Sequence, residues 1–236
     1  MTSVKNISKT FKKSDGSIFT ALDNISLIFD SQMTIIAGLN GSGKTLLMKI
    51  LAGLEEPSSG QVQVSEKIGL IFQDADSQIL GDTPLEDVLF GLKQNKKLSK
   101  TQAKEKALEA LAKVNLLDKA DESSHFLSGG EKRRLAIASI LALGRKTIIF
   151  DEPYSNLDYP SIKALNATIS SLKENGFTII LLTHELEKCL ALADKFVVLH
   201  KGIIQYEGSP LQALSLDLEQ WGIHIPQGSL ESLIWS

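Results

Sequence analysis

The strongest constraint on the fold is a glycine-rich segment that joins an apolar strand to a helix. The strand is predicted over Met33 to Ala37 and the helix over Leu46 to Leu51. The eight residues between them, Gly38-Leu39-Asn40-Gly41-Ser42-Gly43-Lys44-Thr45, match the whole G-x-x-x-x-G-K-[ST] pattern. Such a strand–loop–helix unit is typical of an α/β domain with a largely parallel sheet.

This loop also predicts a phosphate-binding site. Its glycines let the backbone curl so that successive N–H groups point at phosphate oxygens, and the helix N-terminus adds partial positive charge. We expect Lys44 to reach the β- and γ-phosphates and the Thr45 hydroxyl to bind Mg²⁺. A chance glycine turn is disfavoured because both flanking elements are correct, but the loop alone does not separate kinases, GTPases and motor ATPases.

Further apolar runs alternate with helical patterns and extend the predicted α/β fold. Other strand-like runs are Leu22 to Phe29, Ile68 to Phe72, Thr147 to Phe150, Thr178 to Leu182 and Phe196 to Leu199. Antiparallel strands are expected to form an N-terminal layer, near Ser3 to Phe11 and Gln61 to Val64.

The middle of the chain, from about residue 84 to residue 143, has a different pattern. An apolar stripe with helical spacing runs over Thr101 to Val114, and Ser99 and Gln102 have the spacing of a capping box at its start. We expect a helical subdomain inserted between strands of the core.

Composition limits the classes of function. The 236-residue chain has a net charge of −3, so no overall positive field attracts nucleic acid. The lysines between Lys93 and Lys106 lack interleaved aromatics for base stacking, which favours a solvated helix face. A single cysteine, Cys189, suits a reducing cytoplasm. We see no N-terminal signal and no run near the ~20 apolar residues that span a bilayer, so any membrane role is expected to need partner chains.

Two acids, Asp151 and Glu152, follow the predicted strand that ends at Phe150. The carboxyl ends of parallel strands are where α/β sheets bind ligands. We expect Asp151 to hold Mg²⁺ through water and Glu152 to polarise an attacking water. Without the phosphate loop, an ordinary strand-to-turn acidic pair would be the better interpretation.

The segment Leu127-Ser128-Gly129-Gly130-Glu131 closely resembles the LSGGQ signature of ATP-binding-cassette (ABC) ATPases. The other motifs of that family are present along the chain in the order that the family has them. Gln73 resembles the Q-loop glutamine, Ser155-Asn156-Leu157-Asp158 resembles the D-loop, and His184 resembles the switch histidine. The resemblance runs from about Ser3 to Gly208, nearly the whole chain, so we expect an ATPase domain over residues 1–208 and a short C-terminal tail over 209–236.

The resemblance implies an ATPase in which two cassettes pack head to tail around two ATP molecules. Nucleotide contacts are then expected from the loop residues 38–45 of one chain and from Ser128, Gly129 and Gly130 of the other. It further implies a γ-phosphate contact for His184, a nucleotide contact for Asp158, and Mg²⁺ ligation by Thr45, Gln73 and Asp151.

Two residues at the predicted nucleotide site have two interpretations each. Glu131 replaces the usual glutamine of the signature, and its spacing from Ser128 fits a capping box that serves the helix instead. Phe11 is placed where the family stacks an aromatic on adenine, although a core phenylalanine is nearly as compatible with the sequence.

The stretches Ile71 to Leu80 and Leu85 to Leu92 resemble energy-coupling-factor (ECF) importers of vitamins or metal ions, although Ala75 replaces a proline. We therefore expect a subunit peripheral to the cytoplasmic face of the membrane, with integral membrane partners and a second cassette, identical or a sister chain. The apolar Ile79, Leu80, Val88 and Leu89 are expected to face a partner helix, and the alternative is that they pack the helical subdomain. The alternatives are a cassette of a lipoprotein or drug exporter and a non-transport ABC regulator.

Overall fold

The computed structural model describes residues 2–30, 32–93 and 98–236. Nine strands are described: β1 Thr2–Lys12, β2 Ile18–Phe29, β3 Met33–Ala37, β4 Ser59–Gln63, β5 Gly69–Ile71, β6 Thr147–Asp151, β7 Thr178–Thr183, β8 Lys195–His200 and β9 Ile203–Gly208. The α-helices of the same residues are α1 Lys44–Leu51, α2 Pro84–Leu92, α3 Lys100–Lys113, α4 Gly129–Ala142, α5 Tyr159–Glu174 and α6 Pro210–Ala213.

The central sheet has the strand order β5-β6-β7-β3-β8-β9, and only its edge strand β9 is antiparallel. Every residue of β3 and β6 is buried, as expected for strands covered on both faces. The predicted α/β class with a mostly parallel core sheet is confirmed. Strand β9 was not predicted, because its sequence has no continuous apolar run.

Alternate residues of the core strands pack against two different layers. On one face, Ile36 and Ile180 join a cluster with Leu47 of α1 and with the N-terminal sheet β2-β1-β4. On the other face, Ile35 and Ile179 join a larger cluster with the helices. The predicted N-terminal antiparallel layer is therefore confirmed, and it covers the face that carries α1.

Helices α2, α3 and α4 lie between β5 and β6 in the chain and contact one another, in the range 84–143 where the sequence predicts a helical subdomain. The capping box of α3 is present: Gln102 N–H donates to Ser99 Oγ at 3.2 Å, and Ser99 N–H donates to Gln102 Oε1 at 3.0 Å. A partly buried hydrogen bond joins α4 to α2, where Ser139 Oγ donates to Asp87 Oδ2 at 2.9 Å. Within the basic stretch, residues 94–97 lie outside the described residues, and Lys100, Lys104 and Lys106 are exposed.

Residues 209–236, predicted as a short tail, pack on the central domain. Leu218, Ile223 and Leu233 are buried in the larger core cluster. A Cβ on Gly222 would lie 2.4 Å from Leu39 Cδ1, so this segment reaches the phosphate loop itself. Across residues 2–30, 32–93 and 98–236, we find no helix with the length and hydrophobicity needed to cross a membrane.

Candidate active site

The predicted site residues follow the carboxyl ends of four neighbouring strands. The phosphate loop follows β3, Gln73 follows β5, Asp151 and Glu152 lie at the end of β6, and His184 follows β7. Parallel strands place these ends on one edge of the sheet. The fold therefore brings together residues that are up to 146 positions apart, counted from Gly38 to His184.

The phosphate loop needs glycine at specific positions. A Cβ on Gly38 would lie 2.2 Å from the Leu199 carbonyl oxygen and 2.6 Å from Ser42 Oγ. Gly43 precedes α1 with a φ of 106°, a left-handed conformation that glycine adopts without strain. The buried Lys44 ammonium folds back over the loop and donates to the Gly38 carbonyl at 2.5 Å.

Asp151 and Thr45 form a pair of oxygen donors beside the loop. Thr45 Oγ1 donates to Asp151 Oδ2 at 3.0 Å. Burial raises the pKa of Asp151, and this effect outweighs the Thr45 hydrogen bond, which lowers it. Asp151 Oδ1 is buried with no hydrogen-bond partner among the described residues, and so is Ser42 Oγ. A carboxylate and a hydroxyl are the hard oxygen ligands that Mg²⁺ prefers, so this pair fits the predicted ion.

Glu152 lies between two other predicted residues. Its Oε1 is 3.3 Å from Lys44 Nζ, and its Oε2 is 3.1 Å from His184 Nδ1. Its backbone has a φ of 45°, and its N–H donates to the Leu182 carbonyl at 2.8 Å. A buried carboxylate in this position can accept a proton from a water at the sheet edge.

A cavity of about 280 Å³ opens above the phosphate loop. It is lined by Phe19, Ala21, Leu39, Asn40, Gly41, Gly43, Lys44, Thr45, Leu46, Gln73 and Glu152. Its aromatic wall is Phe19, which the sequence analysis missed. Phe11 is the direct cross-strand partner of Phe19 and is 43% exposed, so it lies beside this wall and its adenine contact stays a prediction.

Gly129 of the signature lines a second cavity, of about 300 Å³, and Gln73 alone of the described residues lines both cavities. Gly129, Arg133 and Asn156 are among its lining residues. The buried Arg133 donates to the Gln73 carbonyl at 2.5 Å and to the Ser155 carbonyl at 3.1 Å. Within one chain, helix α4, which begins at the signature, therefore contacts the Q-loop and D-loop segments through Arg133.

Glu131 forms the capping box at the N-terminus of its own helix, α4. Its Oε2 accepts from Ser128 N–H at 2.8 Å, its N–H donates to Ser128 Oγ at 3.3 Å, and its Oε1 pairs with Lys119 at 2.6 Å. Burial acts against ionisation, but the Lys119 and Ser128 hydrogen bonds outweigh it and lower the pKa of Glu131. Of its two interpretations, the geometry favours the cap. Gly130 is buried, where an added Cβ would lie 2.7 Å from Ser161 Oγ.

Asp158 has a similar local role and lines neither cavity. Its carboxylate accepts from Ser161 N–H at 3.0 Å and caps α5, and its hydrogen bonds to Ser161 lower its pKa. The predicted nucleotide contact is therefore not formed within one chain.

The apolar groove predicted for a partner is only partly exposed. Leu80 is 66% exposed, whereas Ile79 and Leu89 are partly buried against the core. For Val88 the structure favours the packing alternative, because this side chain is 0% exposed and lies in the larger core cluster. Phe126, which the sequence analysis did not single out, is 86% exposed.

Residues 22–155 match the family model described as ABC transporter. The chain belongs to the ABC transporter family. It is a cassette that binds and hydrolyses ATP. Its relatives include the energy-coupling factor transporter ATP-binding protein EcfA1 of Mycoplasma mobile, at 39% identity over 91% of this chain and 82% of that protein. The EcfA1 protein of Clostridium novyi is 36% identical over 96% and 87%.

Solved structures agree with the assignment. The cassette superposes on cbiO1 from Clostridium perfringens, described as part of the ABC transporter complex cbiONQ, with a TM-score of 0.80 and 29% identity. That match covers 91% of this chain and 90% of the other. A dimeric ATP-binding cassette bound to ADP and Pi matches with a TM-score of 0.78 and 28% identity, over 89% and 99%.

Proposed function

We propose that this cassette hydrolyses ATP to drive the import of a small solute, a vitamin or a metal ion, through separate membrane subunits. The observation that carries the proposal is the position of Glu152, whose two carboxylate oxygens face Lys44 and His184 at 3.3 Å and 3.1 Å. The energy-coupling relatives favour import over the exporter alternative.

Each residue has a separate role in the reaction. Lys44 binds the β- and γ-phosphates, and its release from Glu152 frees that carboxylate to polarise the attacking water. His184 contacts the γ-phosphate. Thr45, Asp151 and Gln73 would hold Mg²⁺, which neutralises charge on the phosphates when it is bound. The orphaned buried oxygen of Asp151 supports this assignment.

A second cassette, identical or a sister chain, supplies the other half of the site. Ser128 is exposed at the start of α4, where its hydroxyl and the N–H of Gly129 can face a γ-phosphate held by the partner. The separation of the two cavities within one chain supports this arrangement.

The membrane subunits would dock beside the Q-loop, which places the cassette on the cytoplasmic face of the membrane as a peripheral subunit. A surface cavity is lined there by Ile79, Leu80 and His125, next to the exposed Phe126. Large exposed apolar side chains are typical of protein interfaces.

The test is to measure membrane recruitment of two charge variants in cells that contain the neighbouring subunits. Leu80→Glu should lower the membrane-bound fraction and spare ATP binding. Leu211→Glu is the matched control, because Leu211 is 65% exposed but lies on α6. The proposal would be contradicted if the wild-type chain stays wholly unbound to membranes. It would also be contradicted if both variants lose the same share of the membrane-bound fraction.

A further inference from the structure

The side chain of Asn166 connects three distant segments of the chain. It lies on α5 and is 1% exposed. Its Oδ1 accepts from the Tyr154 hydroxyl at 2.7 Å. Its Nδ2 donates to the Lys188 carbonyl at 2.8 Å and to the Trp235 carbonyl at 3.0 Å. Both amide hydrogens and the amide oxygen are therefore used.

Two of these segments lie directly after the proposed reacting residues, Glu152 and His184. Tyr154 follows Glu152 by two positions, and Lys188 follows His184 by four positions. The path from His184 to Lys188 is short and internally bonded. Glu185 N–H donates to Thr183 Oγ1 at 3.0 Å, and the Lys188 ammonium pairs with the Glu185 carboxylate.

The third segment is the C-terminal one, and it holds the same loop from outside. Trp235 N–H donates to the Lys188 carbonyl at 3.2 Å, and the Ala191 N–H donates to the Leu233 carbonyl at 3.0 Å. The Trp235 ring lies 5.5 Å from the Tyr159 ring, at the first residue of α5. Lys188 Nζ lies 5.2 Å from the Trp235 ring.

We propose that Asn166 is a positioning residue for ATP hydrolysis. Its amide fixes the segment after His184 against the segment after Glu152, and Leu233 to Trp235 lock that arrangement. The inference rests on the proposed function, because it needs Glu152 and His184 to act on one water and one phosphate. A packing role alone would be filled by an apolar residue, whereas a buried amide with every donor used fixes one geometry.

The experiment compares Asn166→Ala with Thr168→Ala. Thr168 is the matched control, because it is also buried on α5 but donates only to Ala164 of its own helix, at 2.9 Å. We expect Asn166→Ala to lower kcat by about tenfold, the scale for loss of one positioning hydrogen bond. KM for ATP should stay within about twofold, because the phosphate loop is untouched. Thr168→Ala should lower the melting temperature and keep kcat.

Trp235→Ala is the second variant, and it tests the positioning role if Asn166→Ala does not fold. It removes the ring contacts with Tyr159 and Lys188 but keeps the backbone hydrogen bonds, and it should lower kcat with KM unchanged. Wild-type kcat in the folded variants, or an equal loss of kcat in Thr168→Ala, would overturn the positioning role. If the Glu152→Gln variant instead turns over ATP as fast as the wild type, the proposed function itself is overturned. The two failures are therefore distinguishable.

Discussion

The Lys44 ammonium and the Glu152 carboxylate form a buried ion pair, with 3.3 Å between Nζ and Oε1. Each of these charges would be costly to bury alone, and the pair offsets part of that cost. The same contact joins the residue expected to bind phosphate to the residue expected to activate water. Nucleotide binding and activation of the base are therefore expected to be linked.

Glu152→Gln should retain ATP binding and lose turnover. The amide keeps the shape of the side chain but cannot accept a proton from water, so kcat should fall roughly 100-fold or more. Steady-state hydrolysis and nucleotide affinity are measured together. The control is Glu207→Gln, which removes an exposed carboxylate paired with Lys195 and should leave kcat unchanged. Near-normal turnover in Glu152→Gln would exclude the base role.

Lys44→Ala should weaken ATP binding by about tenfold or more, because charge-assisted hydrogen bonds to phosphate are lost. It should also destabilise the protein, since Glu152 would remain buried without its cation. The double variant Lys44→Ala/Glu152→Gln should recover part of that stability and none of the affinity. Calorimetry of binding and of unfolding separates the two effects, and unchanged affinity in Lys44→Ala would contradict the phosphate assignment.

Asp151→Asn should stabilise the protein while it abolishes Mg²⁺-dependent hydrolysis. Burial raises the pKa of Asp151, so the folded state disfavours its charge. The stability penalty begins as pH rises past the ordinary Asp value of 3.8 and is complete above the raised value. The gain in melting temperature should therefore be present at neutral pH and absent at pH values below that window.

The control for this effect is Asp158→Asn. The pKa of Asp158 is lowered, so its charged form favours folding, and that contribution is lost as pH falls through the lowered value. Neutralising Asp158 should give no gain in melting temperature at neutral pH. A destabilised Asp151→Asn protein at neutral pH would contradict the sign of this prediction.

If the cassette forms homodimers, Lys44→Ala and Ser128→Arg should complement each other. Each variant is expected to be inactive alone, because both of its sites carry one defect. A mixed dimer has one site with both defects and one site with neither, so mixing should restore part of the activity. Absence of recovery, with subunit exchange demonstrated, would favour a pair of different cassettes or strictly coupled sites.

The sequence predicted eight of the nine described strands, and the glycine-rich loop between β3 and α1, because their signals are contiguous. It also predicted the Ser128 capping box, a local pattern that the structure contains. It missed Phe19, whose place in the cavity depends on how β2 lies over the loop after β3. The contact between Asn166 and Trp235 was equally invisible, since it joins residues 69 positions apart. The sequence left two interpretations for Val88, because an apolar residue on a helix does not reveal which neighbour covers it.

Arg133 has a mechanical consequence for the dimer. Helix α4 has 14 residues, about 21 Å of stiff rod. Ser128 caps the N-terminus of this helix. The Arg133 guanidinium donates hydrogen bonds to the carbonyls of Gln73 and Ser155, and Ser139 in the C-terminal half donates to Asp87 of α2. We therefore expect a displacement of the Q-loop at Gln73 to move Ser128 together with the whole of α4, as one rigid unit.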